Sequence, residues 1–584
     1  MLALPAFLFW VTLGSAQHLK LAPGEVQGFN YETETGDYAE VFLNIPYASA
    51  PVGELRFEKP QPVKPWGSTR NGTEFGPVCH QLVREAVPKA AEASEDCLTL
   101  NIIRPKKEPP EHGFPIIFWI HGGGYEIGSA FEQGYKTFAD IYIPNDIIIV
   151  TIQYRLNIYG FFSTGDDTLP GNLGLFDMAE ALKFVHSNAE NFGGDASRIT
   201  VWGHSAGGGA AGQLILSPIT RNYIARSIEM SGSAWAPWAL GAFVKSNSLE
   251  LAKAGFHAIG CEKDVKKCLK QKTVEELYEA VKSVHPDDMV TTAPPKQSII
   301  GFTNKEAAFF TIMRIGQFMQ KFSVDPEDYK NWNREKLISV LKKFVELVYT
   351  GSHKQEIIDE IVKYYVDRGE EQNYIFYLNR YAEVNLEIFE GNCANVIFQF
   401  ISDTHFIIGS MEGILARRDA GWDVYAYLLD HHNDAIFNSK VPKKLRGPFQ
   451  LEDYSILLYF RRKILTYLRN SGAVHASEFP YISGLPLLGK IDFDEKEQVV
   501  AEVFRQSIIE FVKTGAPQNQ HEVWLETGKE PRLRYLRITP KPEMRKGLCN
   551  ESVVFWREMR KYGFDMIQLL PTRTQIGEGV KAEL

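Results

Sequence analysis

The middle of the chain alternates short apolar runs with longer amphipathic stretches. The runs at residues 116–120, 147–152, 199–202, 298–300 and 424–429 show almost no polar alternation. A strand with one wet face alternates, so runs of this kind predict strands covered by helices on both sides. Strands separated by helical stretches predict a mainly parallel α/β sheet. No internal repeat or low-complexity linker divides the chain, so residues 17–570 are expected to form one domain.

Chemistry in such sheets gathers in the loops beyond the carboxyl ends of strands. After the run at 199–202 comes Gly203-His204-Ser205-Ala206-Gly207, followed by a Gly/Ala-rich helix start. The two glycines permit a tight strand-to-helix turn that lifts the Ser205 hydroxyl off the sheet edge. A helix N-terminus behind it favours negative charge. Alone, this pentapeptide also fits an ordinary glycine-rich turn. After the run at 116–120 comes His121-Gly122-Gly123-Gly124. Its backbone N–H groups, with that of Ala206, are free to converge on an oxyanion, and the combination is far more specific than either motif.

A nucleophilic serine needs a base, and the base needs an orienting acid. His475 lies in a small-residue loop after the run at 424–429, but His431 and His432 also follow that run, and pattern does not separate them. Glu306 follows the run at 298–300 through Gly301-Phe302-Thr303-Asn304-Lys305, and the order Ser, Glu, His is the one expected of an α/β-hydrolase fold. On spacing alone other acids compete with Glu306.

Composition narrows the class. With 44% hydrophobic and 23% charged residues among 584, the chain is an ordinary globular one. A formal charge of −9 with no long single-sign run argues against a nucleic-acid partner. Residues 1–16 read as a secretory signal peptide ending in small residues, too short to span a bilayer. Six cysteines suit an oxidising lumen, and no CxxC or HxxxH spacing suggests a metal. Asn71-Gly72-Thr73 and Asn550-Glu551-Ser552 are glycosylation acceptors for the same compartment. In the tail 571–584, Lys581-Ala582-Glu583-Leu584 resembles the retrieval signal KDEL, so contact with its receptor and residence in the endoplasmic reticulum lumen are expected, with secretion as the alternative.

With these pieces placed, the chain resembles the type-B carboxylesterase family, which includes cholinesterases and neuroligin. The resemblance runs from about Gly24 to Trp556. It includes Ile45-Pro46-Tyr47-Ala48, Glu95-Asp96-Cys97-Leu98, Tyr154-Arg155-Leu156, Gly171-Asn172-Leu173-Gly174, Asn191-Phe192-Gly193-Gly194-Asp195 and Phe511-Val512-Lys513-Thr514-Gly515. It implies a nucleophile at Ser205, an acid at Glu306, a base at His475 and oxyanion donors at Gly123, Gly124 and Ala206. It also implies the disulfides Cys79–Cys97 and Cys261–Cys268, and no metal or organic cofactor. Ile408 and Val553 occupy the positions of the family's third disulfide, which leaves Cys393 and Cys549 over.

The chain departs from the family at several points. His204 stands where Glu is usual, and Ala307 where Gly is usual. Residues 284–295 look shortened, and 447–471 look inserted as a lid or a retained stretch of transcript. The insertion contains an apolar-basic helical run at 454–468. Between Cys79 and Cys97 there is no Phe, Trp or Tyr to hold a choline cation, so uncharged esters are the expected substrates. The contrasting readings are a silent neuroligin-like binding protein, which would lack the serine, and a lipase that docks on surfaces through 454–468.

Overall fold

The computed structural model describes residues 17–81, 84–164, 168–240, 259–261, 263–281, 297–304, 306–307, 334–367, 400–431, 473–483 and 493–566. The expected signal peptide, the stretches 284–295 and 447–471, Cys393, His432 and the tail at 571–584 lie outside these residues.

Thirteen strands among them form one sheet. In chain order they are β1 (Gln17–Leu21), β2 (Gly24–Glu32), β3 (Tyr38–Pro46), β4 (Arg70–Asn71), β5 (Thr99–Pro105), β6 (Phe114–Ile120) and β7 (Ile148–Ile152). There follow β8 (Gly194–His204), β9 (Arg226–Met230), β10 (Gln297–Thr303), β11 (Asp423–Leu429), β12 (Arg534–Ile538) and β13 (Glu543–Lys546). They lie side by side as β1-β2-β3-β5-β7-β6-β8-β9-β10-β11-β12-β13, with β4 paired to β2. Every pairing from β7 through β12 is parallel, and antiparallel strands close both ends. The five expected strands are all present. Several extend beyond the apolar runs: β8 begins at Gly194, which pairs with Phe114 before an irregular stretch that regains register at Ile199.

All seven residues of β6 are buried, and they bury in two directions. Phe114, Ile116, Phe118 and Ile120 enter one core with Met178, Leu182 and Leu214, whereas Ile117 and Trp119 enter another with Val500, Phe504 and Phe511. That is the period-two geometry of a strand covered on both faces. The first cover comes from helices Leu173–Asn188 and Ala206–Leu216, the second from Glu495–Thr514. Asp494 caps that last helix by accepting from the N–H groups of Lys496 and Glu497, and Gly515 ends it at φ 91°. Each fully buried Ile or Phe is worth about 1.5–3 kcal/mol, which makes this double burial the main stabilising term for the central strands.

One buried ion pair ties the loop after β7 to the helix Leu173–Asn188. Asp177 accepts from the backbone N–H, Nε and Nη2 of Arg155 at 3.1, 2.8 and 2.7 Å. Arg155 belongs to the motif Tyr154-Arg155-Leu156, and Asp177 stands three residues after Gly171-Asn172-Leu173-Gly174.

The helix Ala206–Leu216 is buried along all eleven residues, and its small side chains let it press onto the sheet. A Cβ on Gly207 would lie 2.1 Å from the carbonyl oxygen of Ile120 in β6. Gly207→Ala is therefore expected to push helix and strand apart and cost about 1–3 kcal/mol. A lowered thermal unfolding midpoint would show this, and an unchanged midpoint would refute the claimed contact.

Candidate active site

The site forms where adjacent strands end at one level. His204 of β8 is paired with Met230 of β9, Met230 with Gly301 of β10, and Gly301 with Tyr427 of β11. The residues that follow these rows therefore emerge together. Ser205 follows β8 directly, Ser231 follows β9, and Glu306 follows β10 after Asn304, whose N–H donates to the carbonyl of Leu429 at 3.0 Å.

Ser205 holds φ 56° and ψ −123°, a conformation rare for a residue with a side chain. Neighbouring backbone locks it there: its N–H donates to Met230 O at 2.8 Å, and its carbonyl accepts from Gly209 at 3.0 Å. A Cβ on Gly232 would stand 2.0 Å from that carbonyl, so only glycine fits beside it. From Ile199 to Leu216 every residue is buried except Ser205, which is partly open.

The glycine run after β6 curls against the elbow. A Cβ on Gly122 would lie 3.1 Å from Cβ of Ser205. Gly123 and Gly124 take φ 115° and 63°, and the carbonyl of Gly123 accepts from Glu126 and Ile127, both at 3.0 Å. The His121 ring stacks on Tyr154 with centroids 4.3 Å apart, and Tyr154 donates its hydroxyl hydrogen to the His121 carbonyl at 2.7 Å. Gln81 braces the far end of the loop, accepting from Gly128 N–H at 2.9 Å and donating to its carbonyl at 3.2 Å. Gln81 sits in the loop closed by the Cys79–Cys97 disulfide, so that bridge steadies the glycine run from outside.

The structure brings Glu306 and His475 together. His475 Nδ1 is 2.6 Å from Glu306 Oε2, and both side chains are almost fully buried. Glu306 Oε1 also accepts from Thr303 N–H and from the Ser231 hydroxyl, each at 2.7 Å. Thr303 N–H and the His475 ring, with the Ser231 hydroxyl when its hydrogen turns this way, satisfy this carboxylate in a dry setting. His475 rides on a turn in which Ser477 Oγ accepts from Val474 N–H at 3.0 Å, and its ring lies 4.7 Å from that of His204 and 5.0 Å from that of Phe406. His431, left open by the sequence, pairs instead with Glu497 at 2.6 Å. The two histidines thus have different carboxylates, and only His475 shares one with the loop after β10.

Aromatic rings continue from the glycine run toward His475. Tyr125 meets Phe161 at 4.8 Å and Trp238 at 6.5 Å, Trp238 meets Phe406 at 6.1 Å, and Phe406 meets His475. Phe406 is carried by a π-helical turn, Asp403–Ile407, an irregularity often found at functional sites. No group of side chains able to hold a metal occurs among the described residues.

Both expected disulfides, Cys79–Cys97 and Cys261–Cys268, are closed. Cys549 is a free thiol whose ionisation burial strongly disfavours. Asn71 is exposed beside Thr73, whereas Asn550 opens the helix Asn550–Met559 and the Ser552 of its acceptor triplet is buried. The sequence did not signal Ser231, Glu478 or Tyr427, which also line the base of the site. None sits in a motif, and Ser231 reveals itself only through its place one residue past β9 and its φ of 50°.

A strained serine between strand and helix, beside a glycine loop and a buried His–Glu pair, defines an α/β-hydrolase. Comparison with known proteins narrows this further. The sequence profile of the carboxylesterase family matches residues 15–556. Gut esterase 1 of Caenorhabditis briggsae is 33% identical, with 94% of each chain aligned. Gut esterase 1 of Caenorhabditis elegans is also 33% identical, over 96% of each. Liver carboxylesterase 1F of Rattus norvegicus is 27% identical over 89% of each. The chain belongs to the carboxylesterase family, and it is a carboxylic-ester hydrolase.

His121 gives the glycine loop a pH signature. Burial pushes its imidazole down to about 4, against 6.5 in an open chain, despite the contact of Nδ1 with the Gly122 carbonyl at 2.9 Å. Between those values the unfolded chain binds a proton that the native imidazole refuses, so stability falls as pH drops through that window, by up to about 3 kcal/mol. His121→Gln should flatten the fall of the unfolding midpoint between about pH 6.5 and pH 4. An equally steep fall in the variant would remove His121 as its source.

Proposed function

We propose that the chain hydrolyses esters by two-step acyl transfer, with Ser205 as nucleophile, His475 as base and Glu306 as orienting acid. The observation that carries this reading is the 2.6 Å contact between His475 Nδ1 and the buried Glu306 carboxylate. A carboxylate has no hydrogen to give, so the imidazole carries its hydrogen on Nδ1 and leaves Nε2 as a proton acceptor. Nε2 takes the Ser205 proton as Oγ attacks the ester carbonyl, and Glu306 stabilises the imidazolium that results. The backbone N–H groups of Gly123, Gly124 and Ala206 receive the developing oxyanion, each worth about 3 kcal/mol of barrier. His475 then returns the proton to the leaving alcohol, and water repeats the sequence on the acyl-enzyme.

Uncharged aliphatic or aromatic esters fit best. The rings of Tyr125, Trp238 and Phe406 offer an apolar wall leading to His475. The loop Cys79–Cys97 has no Phe, Trp or Tyr to hold a quaternary ammonium. The presence of Ser205 weighs against a silent binding protein. Among the described residues no helix is long and apolar enough to cross a membrane.

Wild-type enzyme should react with a fluorophosphonate probe and hydrolyse an uncharged short-chain ester in preference to a choline ester. Ser205→Ala should lose the labelling and at least about 10³-fold in kcat. Glu306→Gln, which offers the wrong hydrogen-bond partner to Nδ1, should lose about 10²-fold or more. Labelling and turnover that survive in Ser205→Ala would sink this mechanism.

The two closed disulfides support a compartment that oxidises thiols, with the lumen of the endoplasmic reticulum as the first choice and the extracellular space as the second. Thiol-alkylation of a tagged chain in cells should find Cys79, Cys97, Cys261 and Cys268 blocked, and fractionation should place it with membranes or in the medium. Reduced cysteines in a cytosolic fraction would reverse the assignment.

A further inference from the structure

The polar network under the site continues beyond Glu306. Ser231 Oγ lies between two carboxylates, 2.7 Å from Glu306 Oε1 and 2.7 Å from Glu478 Oε1. A hydroxyl has one hydrogen to donate, so it can satisfy only one of them at a time. Glu478 is fully buried and also accepts from the Tyr427 hydroxyl at 3.3 Å. Its other oxygen, Oε2, has no hydrogen-bond partner, and it faces His204 Nε2, equally unpartnered, at 3.7 Å. Two buried polar atoms left open toward each other are rare enough to need a reason.

His204 ends β8 immediately before Ser205 and is 3% exposed. The ionisable groups facing it are Glu478, His475 and Glu306, and its ring also packs on Phe479 at 4.6 Å. Burial draws its imidazole below the ordinary value. Burial pushes the Glu478 carboxyl up, but His204 and Ser231 outweigh that pull and bring it below its ordinary value. A neutral imidazole beside an anionic carboxylate is thus the resting form at neutral pH.

We propose that His204 and Glu478 form a second acid–base pair that takes up one proton and, through the single hydrogen of Ser231, sets how strongly Glu306 supports the His475 imidazolium. This rests on the reading of Glu306 and His475 given above. In the resting form Ser231 is contested by two anions, and His475 stands over two negative charges. One proton from solvent enters between Nε2 of His204 and Oε2 of Glu478, the two open atoms. Held on either, it cancels one net charge and weakens the claim of Glu478 on Ser231, whose hydrogen then turns to Glu306. The imidazolium now faces one net charge, so the base is weaker. Acid thus acts in two separate steps: the pair takes a proton and lowers the rate, and His475, now a weaker base, takes its proton at lower pH and ends activity. His204, Glu478 and Ser231 are positioning residues in this scheme, for they act through Glu306 and His475.

The test is the pH dependence of kcat/KM for the full chain on an uncharged ester, normalised to fluorophosphonate-titrated sites. In wild-type enzyme the acid limb should fall in two steps separated by a shoulder of reduced kcat/KM, since the first proton weakens the base and the second removes it. His204→Gln sets an amide donor that cannot be protonated against Glu478, which keeps Glu478 anionic, and its limb should fall in a single step. Glu478→Gln fixes the pair as neutral, so its limb should also have a single slope, displaced to lower pH, with kcat reduced and KM little changed. A purely structural role would leave the two-step limb in both variants, which would overturn the proposal. A wild-type limb that falls in one step would overturn it without any variant. If turnover is insensitive to Ser205→Ala, the parent mechanism fails; if it is sensitive but the limb is single, only this inference fails.

Discussion

The molecule depends on a backbone-to-backbone contact at the centre of its sheet. Gly203, Gly207 and Gly232 stand where an added Cβ would come within 2.1 Å of a neighbouring backbone atom. Those approaches hold strands β8 and β9 and the helix Ala206–Leu216 so close that Ser205 is forced into its left-handed turn. Strain of this kind costs on the order of 1–3 kcal/mol and persists only where surrounding packing over-determines it. Here that packing is the buried helix behind the serine and the doubly covered strands beside it. The same closeness seats the glycine run after β6 against the elbow, where a Cβ on Gly122 would lie 3.1 Å from that of Ser205.

Burial then decides the electrostatics. Glu306 is out of water, and donors from Thr303 and His475, with the Ser231 hydroxyl it shares with Glu478, replace the hydration it gave up. In a medium of low polarity, fixed donors of this kind are worth more than in solution and need no reorganisation during reaction. The periphery supports this arrangement. The first disulfide holds Gln81 against Gly128, and the Arg155–Asp177 pair holds the loop after β7 to its helix. Breaking one partner of such a pair strands a buried charge, at about 3–5 kcal/mol, so these contacts are stiff.

Much of this was legible in the residues. The unalternating runs announced strands covered on both faces, and each appears in the sheet. Gly203 to Gly207 and His121 to Gly124 announced their turns because only glycine permits the required φ or approach. Glu306 and His475 were readable mainly through resemblance to carboxylesterases, since acids and histidines are too common for spacing to single them out. Ser231 and Glu478 were not legible at all. A buried hydroxyl shared by two carboxylates leaves no mark in a linear pattern, because its three members lie on separate loops.

By itself, then, the sequence determined the local elements: which runs become strands, where glycine must turn, and which serine sits at the elbow. These follow from periodicity and steric allowance, both of which act over a few residues. Only the tertiary structure decided the partners. It assigned His431 to Glu497 and His475 to Glu306, and it set His204 opposite Glu478. Such pairings depend on strand order and on the level at which parallel strands end, and those are properties of the whole sheet.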